Sequence, residues 1–435
     1  MRNLIPLSLF FLFFSFFGIS QNDDVLASNV SAATLKNTDT KIHLVASDPE
    51  FDTLTYSIRS EPSNGTATLS GDTVTYTPNT DFVGTDTFSF KASDGDASDS
   101  SQIKTVTVKV FKNYLSLATQ IGTDINGEGY NNQSGYSVSF NEDATIMAIG
   151  ATNNYGSGSN SGHVRVFQFS NYSWSQLGED INGEAGSDYS GGSVSLSSNG
   201  KTLAIGANGN DGNGTNSGHV RIYNYNGTAW SQLGSDIDGE AAGDQSGIPV
   251  SLSSDGNTVA IGAYQNDSNG GNSGHVRVYN FTSTTWTQLG SDIEGEVSND
   301  QSGYSVSLSS DGNTLAIGAI NNAGNGSSSG HVRIYNYNGT AWSQLGEDID
   351  GEVANDQSGY SVSLSSDGNT VAIGANNNDG NGTNSGHVRV YNYNETSWSQ
   401  LGEDIDGEAS NDQSGRSVSL SSDGTTLAIG APYND

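Results

Sequence analysis

Acidic side chains recur along this chain at a spacing suited to holding a cation. In the last copy the motif reads Asp404-Ile405-Asp406-Gly407-Glu408, followed by Asp412 and then Ser414-Gly415. The first acid is Asp at 124, 180, 236, 292, 348 and 404, and the last is Glu at 128, 184, 240, 296, 352 and 408. The middle position varies among Asn126, Asn182, Asp238, Glu294, Asp350 and Asp406. Side chains two residues apart in an extended segment point the same way, and hard oxygen ligands at this density suit calcium. Candidate ligands are therefore Asp236, Asp238 and Glu240, Asp348, Asp350 and Glu352, and Asp404, Asp406 and Glu408. The competing reading is a solvated acidic loop. Charges roughly 7 Å apart repel by about 0.6 kcal/mol in water and about 2.4 kcal/mol at an effective dielectric of 20. An exposed cluster needs no ion, and a packed one does.

Other polar residues keep the same 56-residue interval, among them Trp174, Trp230, Trp286, Trp342 and Trp398, and His163, His219, His275, His331 and His387. Each histidine opens a His-Val-Arg strand and is expected to be structural, near its arginine, rather than a metal ligand. The tryptophans are expected to pack against strand tyrosines rather than to stack on sugars. Asn154, Asn210, Asn266, Asn322, Asn378 and Asn434 read as left-handed turn residues. An active site in a repeat array should show as a local break in symmetry. The breaks are Lys201, Ile248-Pro249, Arg416 and Tyr189, and none forms an acid/base pair or an activated nucleophile.

A period of this length marks a stacked or circular array with one supersecondary unit per copy. In one copy Ser361 to Ser365 alternates strictly, Asp367-Gly368 makes a turn, and Thr370 to Ala375 returns. That pairing sets Leu364 opposite Val371, Val362 opposite Ile373, Ser363 opposite Ala372 and Ser361 opposite Gly374. One face is bulky and the other small, so copies can stack closely. A second hairpin runs from His331 through Asn338-Gly339 to Ile349, and its two-residue turn sets Tyr335 opposite Trp342. Four strands per copy make a propeller blade. SLSSDGNTVAIGA, SGHVRVYNYN and WSQLGEDIDGE resemble the FG-GAP-type propeller repeats of exported bacterial proteins, over residues 115–435. The loop Asn376 to Ser385 faintly resembles the calcium loops of integrin-type repeats, but its spacing departs from theirs. The array opens with an outer strand, Leu117 to Ile125, and holds about 5.7 copies, with six inner hairpins and five His-Val-Arg strands. An incomplete propeller is expected, with seven blades in a full-length form.

Residues 24–112 lack the period and alternate in short runs, Lys41 to Val45, Thr53 to Ile58, Thr73 to Thr77, Thr85 to Phe90 and Lys104 to Val110. Such runs between turn signals predict a small β-sandwich. ASDPEFDTLTYSI, NGTATLSGDTVTYTPNTDFVGTDTFSFKASDG and TVTVKV resemble bacterial cadherin-like, Ig-like surface modules. Asp48, Glu50 and Asp52 alternate on one face, and Asp94 and Asp96 sit in a turn. The resemblance implies calcium there, although Phe51 stands where the family motif has Gly.

Composition sets the remaining bounds. The 435 residues carry a formal charge of −33, 56 glycines, 6 prolines and no cysteine. The charge argues against nucleic acid or an anionic membrane surface as partner, and disulfides and thiol chemistry are excluded. Residues 1–20, with Arg2 before an apolar run from Leu4 to Phe17, read as a signal peptide; an uncleaved membrane anchor is the alternative. The expectation is an all-β, exported, non-catalytic binding or adhesion protein, secreted or at the cell surface, with an extracellular protein or glycan as ligand. A polysaccharide hydrolase or lyase on a propeller scaffold is the first alternative, and a structural spacer the second.

Overall fold

Ser and branched apolar residues alternating around a tight turn build the same hairpin six times. The computed structural model describes residues 25–48, 52–95, 101–111, 120–170 and 173–434. Contacts divide the chain into two units, Met1–Gln120 and Ile121–Asp435. The expected signal peptide lies outside the described residues. Among the described residues, no helix is long and apolar enough to cross a membrane.

The inner hairpin has the register its alternation predicts. Strand Ser361–Leu364 pairs with Thr370–Ala375, with Leu364 opposite Val371 and Ser361 opposite Gly374. Gly368 sits at φ 71°, a conformation that favours glycine, and Asp367 accepts hydrogen bonds from Ser365 Oγ and the Asn369 amide.

The outer hairpin differs from expectation. Tyr337, not Tyr335, stands opposite Trp342, and Tyr335 faces Gln344. Asn338 accepts hydrogen bonds from the amides of both Thr340 and Ala341 while its own amide reaches the Ala341 carbonyl. Four residues rather than two therefore make the connection, and the register moves. The outer strand is also interrupted: Trp342–Gln344 and Ile349–Asp350 pair separately with His331–Tyr337. Of the outer strand expected over Leu117 to Ile125, residues 120–125 hold no strand and the rest lie outside the described residues.

Neighbouring blades pack bulky face on small face. Val194, Leu196, Leu203 and Ile205 of one copy bury against Ala148, Val164 and Val166 of the copy before. Each such side chain contributes about 1.5–3 kcal/mol on burial. A Cβ on Gly374 would collide with the Gly415 carbonyl, so the small face is a requirement of this close stacking. Each seam is also stitched by polar contacts. Ser363 Oγ accepts from the Leu420 amide at 2.9 Å, and Trp398 Nε1 donates to the Leu345 carbonyl at 2.8 Å. The inner hairpins converge at one end, where Phe140, Leu196, Leu252, Leu308, Leu364 and Leu420 line a cavity of about 780 Å³. Turn-to-turn bonds circle that end from the Ser198 amide to Ser254, Ser254 to Ser310, Ser310 to Ser366 and Ser366 to Ser422. This is a β-propeller.

The first unit is a β-sandwich. One sheet orders the strands Val30–Leu35, Lys104–Phe111, Gly84–Ser93 and Thr55–Ser60; the other orders Thr40–His43, Thr73–Pro78 and Gly65–Ser70. Tyr76, Phe88, Phe90, Val106 and Val108 fill the space between them. Alternation located five of these strands. Val30–Leu35, which joins Lys104–Phe111 in parallel, and Gly65–Ser70 were hidden by small and polar residues.

Candidate functional site

Five times along the described residues a histidine is buried between two carboxylates at a blade seam. His275 begins the strand His275–Phe281, where Ala263 and Glu294 flank it across the ladder. Its side chain is almost wholly buried, and neither ring nitrogen makes a hydrogen bond. Nδ1 faces Glu240 Oε2 at 3.8 Å and Asp292 Oδ2 at 3.9 Å. The second oxygen of each carboxylate is held elsewhere. Gln288 Nε2 donates to Asp292 Oδ1 at 2.5 Å, and Arg277 Nη1 lies 3.7 Å from Glu240 Oε1. Arg277 is itself anchored, because Nη2 donates to the Asp238 carbonyl and the guanidinium lies over the Tyr279 ring.

The arrangement recurs as Glu128/His163/Asp180, Glu184/His219/Asp236, Glu296/His331/Asp348 and Glu352/His387/Asp404, with ligand atoms within 4.8 Å of one another in every group. Burial lowers the pKa of His163, His219 and His387, and takes His275 down to about 4, aided by the neighbouring Arg277 charge. These imidazoles are therefore neutral at neutral pH, the state that can ligate a metal. Burial raises the Glu240 carboxyl, whereas a hydrogen bond from His331 is the main cause that lowers Asp348.

The structure separates the carboxylates that the sequence grouped. Within one acidic loop, Asp236 joins His219 while Glu240 joins His275 of the next copy. Asp238 turns toward the asparagine-rich loop, its Oδ1 about 3.1 Å from where a Cβ on Gly212 would lie. The same parting takes Asp348 to His331, Glu352 to His387 and Asp350 toward Gly324. Asp404 joins His387, Asp406 lies toward Gly380, and Glu408 receives Asn434 Nδ2 at 3.4 Å. Packing explains the split. Ile237–Asp238 is strand, and Gly239 then passes so close to the Ser217 carbonyl that Glu240 is delivered to the neighbouring blade. The carboxylates most deeply buried in this region are Asp188, Asp244, Asp300, Asp356 and Asp412. They cap the loop backbone, as Asp300 does for the Glu296 and Val297 amides.

In the sandwich, Asp48 is buried and its Oδ1 accepts from the Asp52 amide at 2.9 Å. Asp94 sits half-buried in its turn, Asp52 is exposed, and Glu50 and Asp96 lie outside the described residues. Asn378 does not adopt the left-handed backbone expected of it. It is buried, and its side chain accepts from the Gly380 amide; the positive φ belongs to Asn384. Sequence reasoning missed Gln176, Gln232, Gln288, Gln344 and Gln400, each four residues before the first acid of its loop. That fixed spacing was the available signal.

A groove opens on the same seam. Glu347, Asp348, Ile349, Asp350, Tyr391 and Trp398 line one of about 460 Å³. The corresponding Ser235, Asp236, Ile237, Asp238, Tyr279 and Trp286 line another of about 280 Å³. The tryptophans pair with Tyr393 and Phe281 at 5.2 Å, as packing predicts, yet remain half-buried and reach the groove wall. Of the residues that break the repeat, Arg416 lies over Tyr360, which joins Tyr304 and then Tyr264 in a run of ring contacts.

Residues 22–109 match the bacterial Ig domain family, and residues 182–223, 294–335 and 349–391 match the FG-GAP repeat. No curated protein matches the chain. Among solved structures, a protein assigned as a 6-phosphogluconolactonase from Bacteroides uniformis is 10% identical, with 68% of this chain and 77% of that one covered at a TM-score of 0.48. The GH74 xyloglucanase from Xanthomonas campestris is 10% identical, covering 87% and 53% at a TM-score of 0.46. The β-propeller domain of the Trilobed protease from Pyrococcus furiosus is 8% identical, covering 61% and 70% at a TM-score of 0.35.

Proposed function

We propose that this chain, a propeller of FG-GAP repeats behind a bacterial Ig domain, is an exported, non-catalytic binding protein that acts in adhesion at the cell surface or in the secreted fraction. The observation that carries the reading is the groove found at equivalent positions on two seams, with the same Trp, Tyr, Ile and Asp in its wall. An aromatic ring beside hydrogen-bonding carboxylates suits a sugar: the ring takes an apolar face, and the carboxylates accept from hydroxyls. Weak sites repeated on one rigid scaffold gain by avidity, and linked engagement raises affinity by 10² or more. A repetitive glycan answers that geometry better than a small soluble ligand. The charge of −33 favours a neutral glycan over a sulfated or uronate-rich one. Calcium is the second element of the reading. It would screen this charge and bind best near Asp48, Asp52 and Asp94.

The test is a glycan array probed with the full chain, in chelator and in millimolar calcium, alongside Trp286→Ala with Trp398→Ala. Binding to polymers well above binding to short oligosaccharides, reduced at least tenfold in the double variant, is the expected outcome. Release of reducing or unsaturated ends from any polymer would contradict it, as would an array with no bound glycan.

A further inference from the structure

We propose that five seams of this propeller are zinc sites, each formed by the buried histidine of one copy, the Asp that follows it and the Glu of the preceding copy. The inference does not depend on the glycan reading.

Three observations carry it. The first is distance. Nδ1 lies 3.5–3.9 Å from the Asp oxygen across the five groups and 3.8–4.0 Å from the Glu oxygen. Good N–H···O bonds span about 2.7–3.2 Å; His331 to Asp348, at 3.5 Å, makes at most a weak one, and all the contacts are too long to be well-made hydrogen bonds. Zinc bonds of about 2.0–2.2 Å place tetrahedral ligands roughly 3.3–3.6 Å apart, which a small movement of the half-exposed carboxylates reaches.

The second is the imidazole. The Nδ1 atoms of His163, His275 and His387 are buried and make no hydrogen bond, and the histidines are 0–2% exposed. An unpartnered buried polar atom is costly, and here it is aimed between two carboxylates. A neutral nitrogen ligand selects zinc over calcium, which takes oxygen ligands in larger number.

The third is the outer ring of contacts. Gln Nε2 ties back one oxygen of each Asp, at 2.5–2.7 Å, and leaves the other facing Nδ1. Arg165, Arg221, Arg277 and Arg333 lie 3.6–3.9 Å from the far oxygens of Glu128, Glu184, Glu240 and Glu296. Outer contacts of this kind orient metal ligands. The glutamates are 39–46% exposed and the aspartates 25–31%, so an ion reaches the nitrogen from solvent through the carboxylates. Because the Glu comes from the preceding copy, each ion would join two blades and act as a removable staple.

The experiment titrates zinc into the metal-stripped full chain by calorimetry, then repeats the titration with Glu240→Gln/Asp292→Asn. The control is Asp379→Asn, an exposed carboxylate outside the groups. Wild type should take up about five equivalents, one per group, and keep them in millimolar calcium. The double variant should lose about one equivalent and the control none. A zinc absorption-edge spectrum of the wild type should show one imidazole nitrogen per ion, which keeps the proposal testable if the double variant does not fold. Unchanged stoichiometry in a folded double variant, displacement by calcium, or zinc held by oxygen alone would overturn it.

Discussion

Two buried polar centres in this molecule are solved in opposite ways. In the sandwich, Asp86 is 4% exposed. It accepts from the Ser63, Asn64 and Thr87 amides and from the Tyr76 hydroxyl, at 2.8–3.0 Å. In the propeller, His275 is equally buried and accepts or donates nothing. The sandwich centre is complete within its own chain. The propeller centre is positioned but not closed, and the same three side chains recur in five groups. A buried group with all its partners is a device for stability. A buried group with oriented but unbonded neighbours is a candidate for something added.

The contrast can be broken first at Asp86. Asp86→Ala would strand three amides and the Tyr76 hydroxyl, whose pKa burial and Asp86 together raise. Each lost charge-assisted bond contributes about 1.5–3 kcal/mol, and partial replacement by water leaves an expected loss of about 3–5 kcal/mol, confined to the sandwich. Denaturant melts of the full chain should show that transition move and the propeller transition stay.

Close stacking gives the next effect. Gly374→Ala drives a Cβ into the Gly415 carbonyl, where neither backbone can yield cheaply. The expected cost is about 1–3 kcal/mol, read as a lower melting point of the propeller. An unchanged melt would mean that the blades do not approach as described.

His275→Leu sharpens the comparison directly. In chelator the loss should be below about 1 kcal/mol, because an apolar side chain replaces an unpartnered polar one. The same substitution should cancel one seam's share of any stabilisation by zinc. A large loss in chelator would show His275 to be as self-sufficient as Asp86.

The smallest effect is a pH dependence in the inner turns. The Ser365 hydroxyl, with the Asn369 amide, lowers the Asp367 carboxyl below its ordinary value. The unfolded chain, with an Asp pKa of about 3.9, takes up the proton first as pH falls. The stabilisation is therefore complete above about pH 3.9 and is lost as pH drops through the lowered folded value. Asp367 is exposed, so the effect is about a few tenths of a kcal/mol. Asp367→Asn should flatten the acid limb of the stability profile by that small amount.

Much of the fold was legible because it is local and repeated. Strict alternation in Ser361–Leu364 and the small residues opposite it set both the hairpin register and the packing faces. The outer register was not legible, because the double cap made by Asn338 lengthens a turn that Asn-Gly alone would close in two residues. The seam groups were half legible. Each residue appears at the 56-residue interval, but periodicity is silent on whether a loop side chain serves its own blade or the next. Glu240 crosses to His275 while Asp236 stays with His219, and only the path of Gly239 past Ser217 decides it. Asp86 gave no local sign, since most of its partners lie 10 to 23 residues away.

The most direct measurement is anomalous diffraction at the zinc edge from crystals of the full chain grown with zinc. The account predicts a peak at each of the five groups, between the histidine Nδ1 and the Asp and Glu oxygens, with His275, Glu240 and Asp292 as one such set. Ordered seams with no anomalous peak, in crystals that carry zinc elsewhere on the molecule, would contradict it.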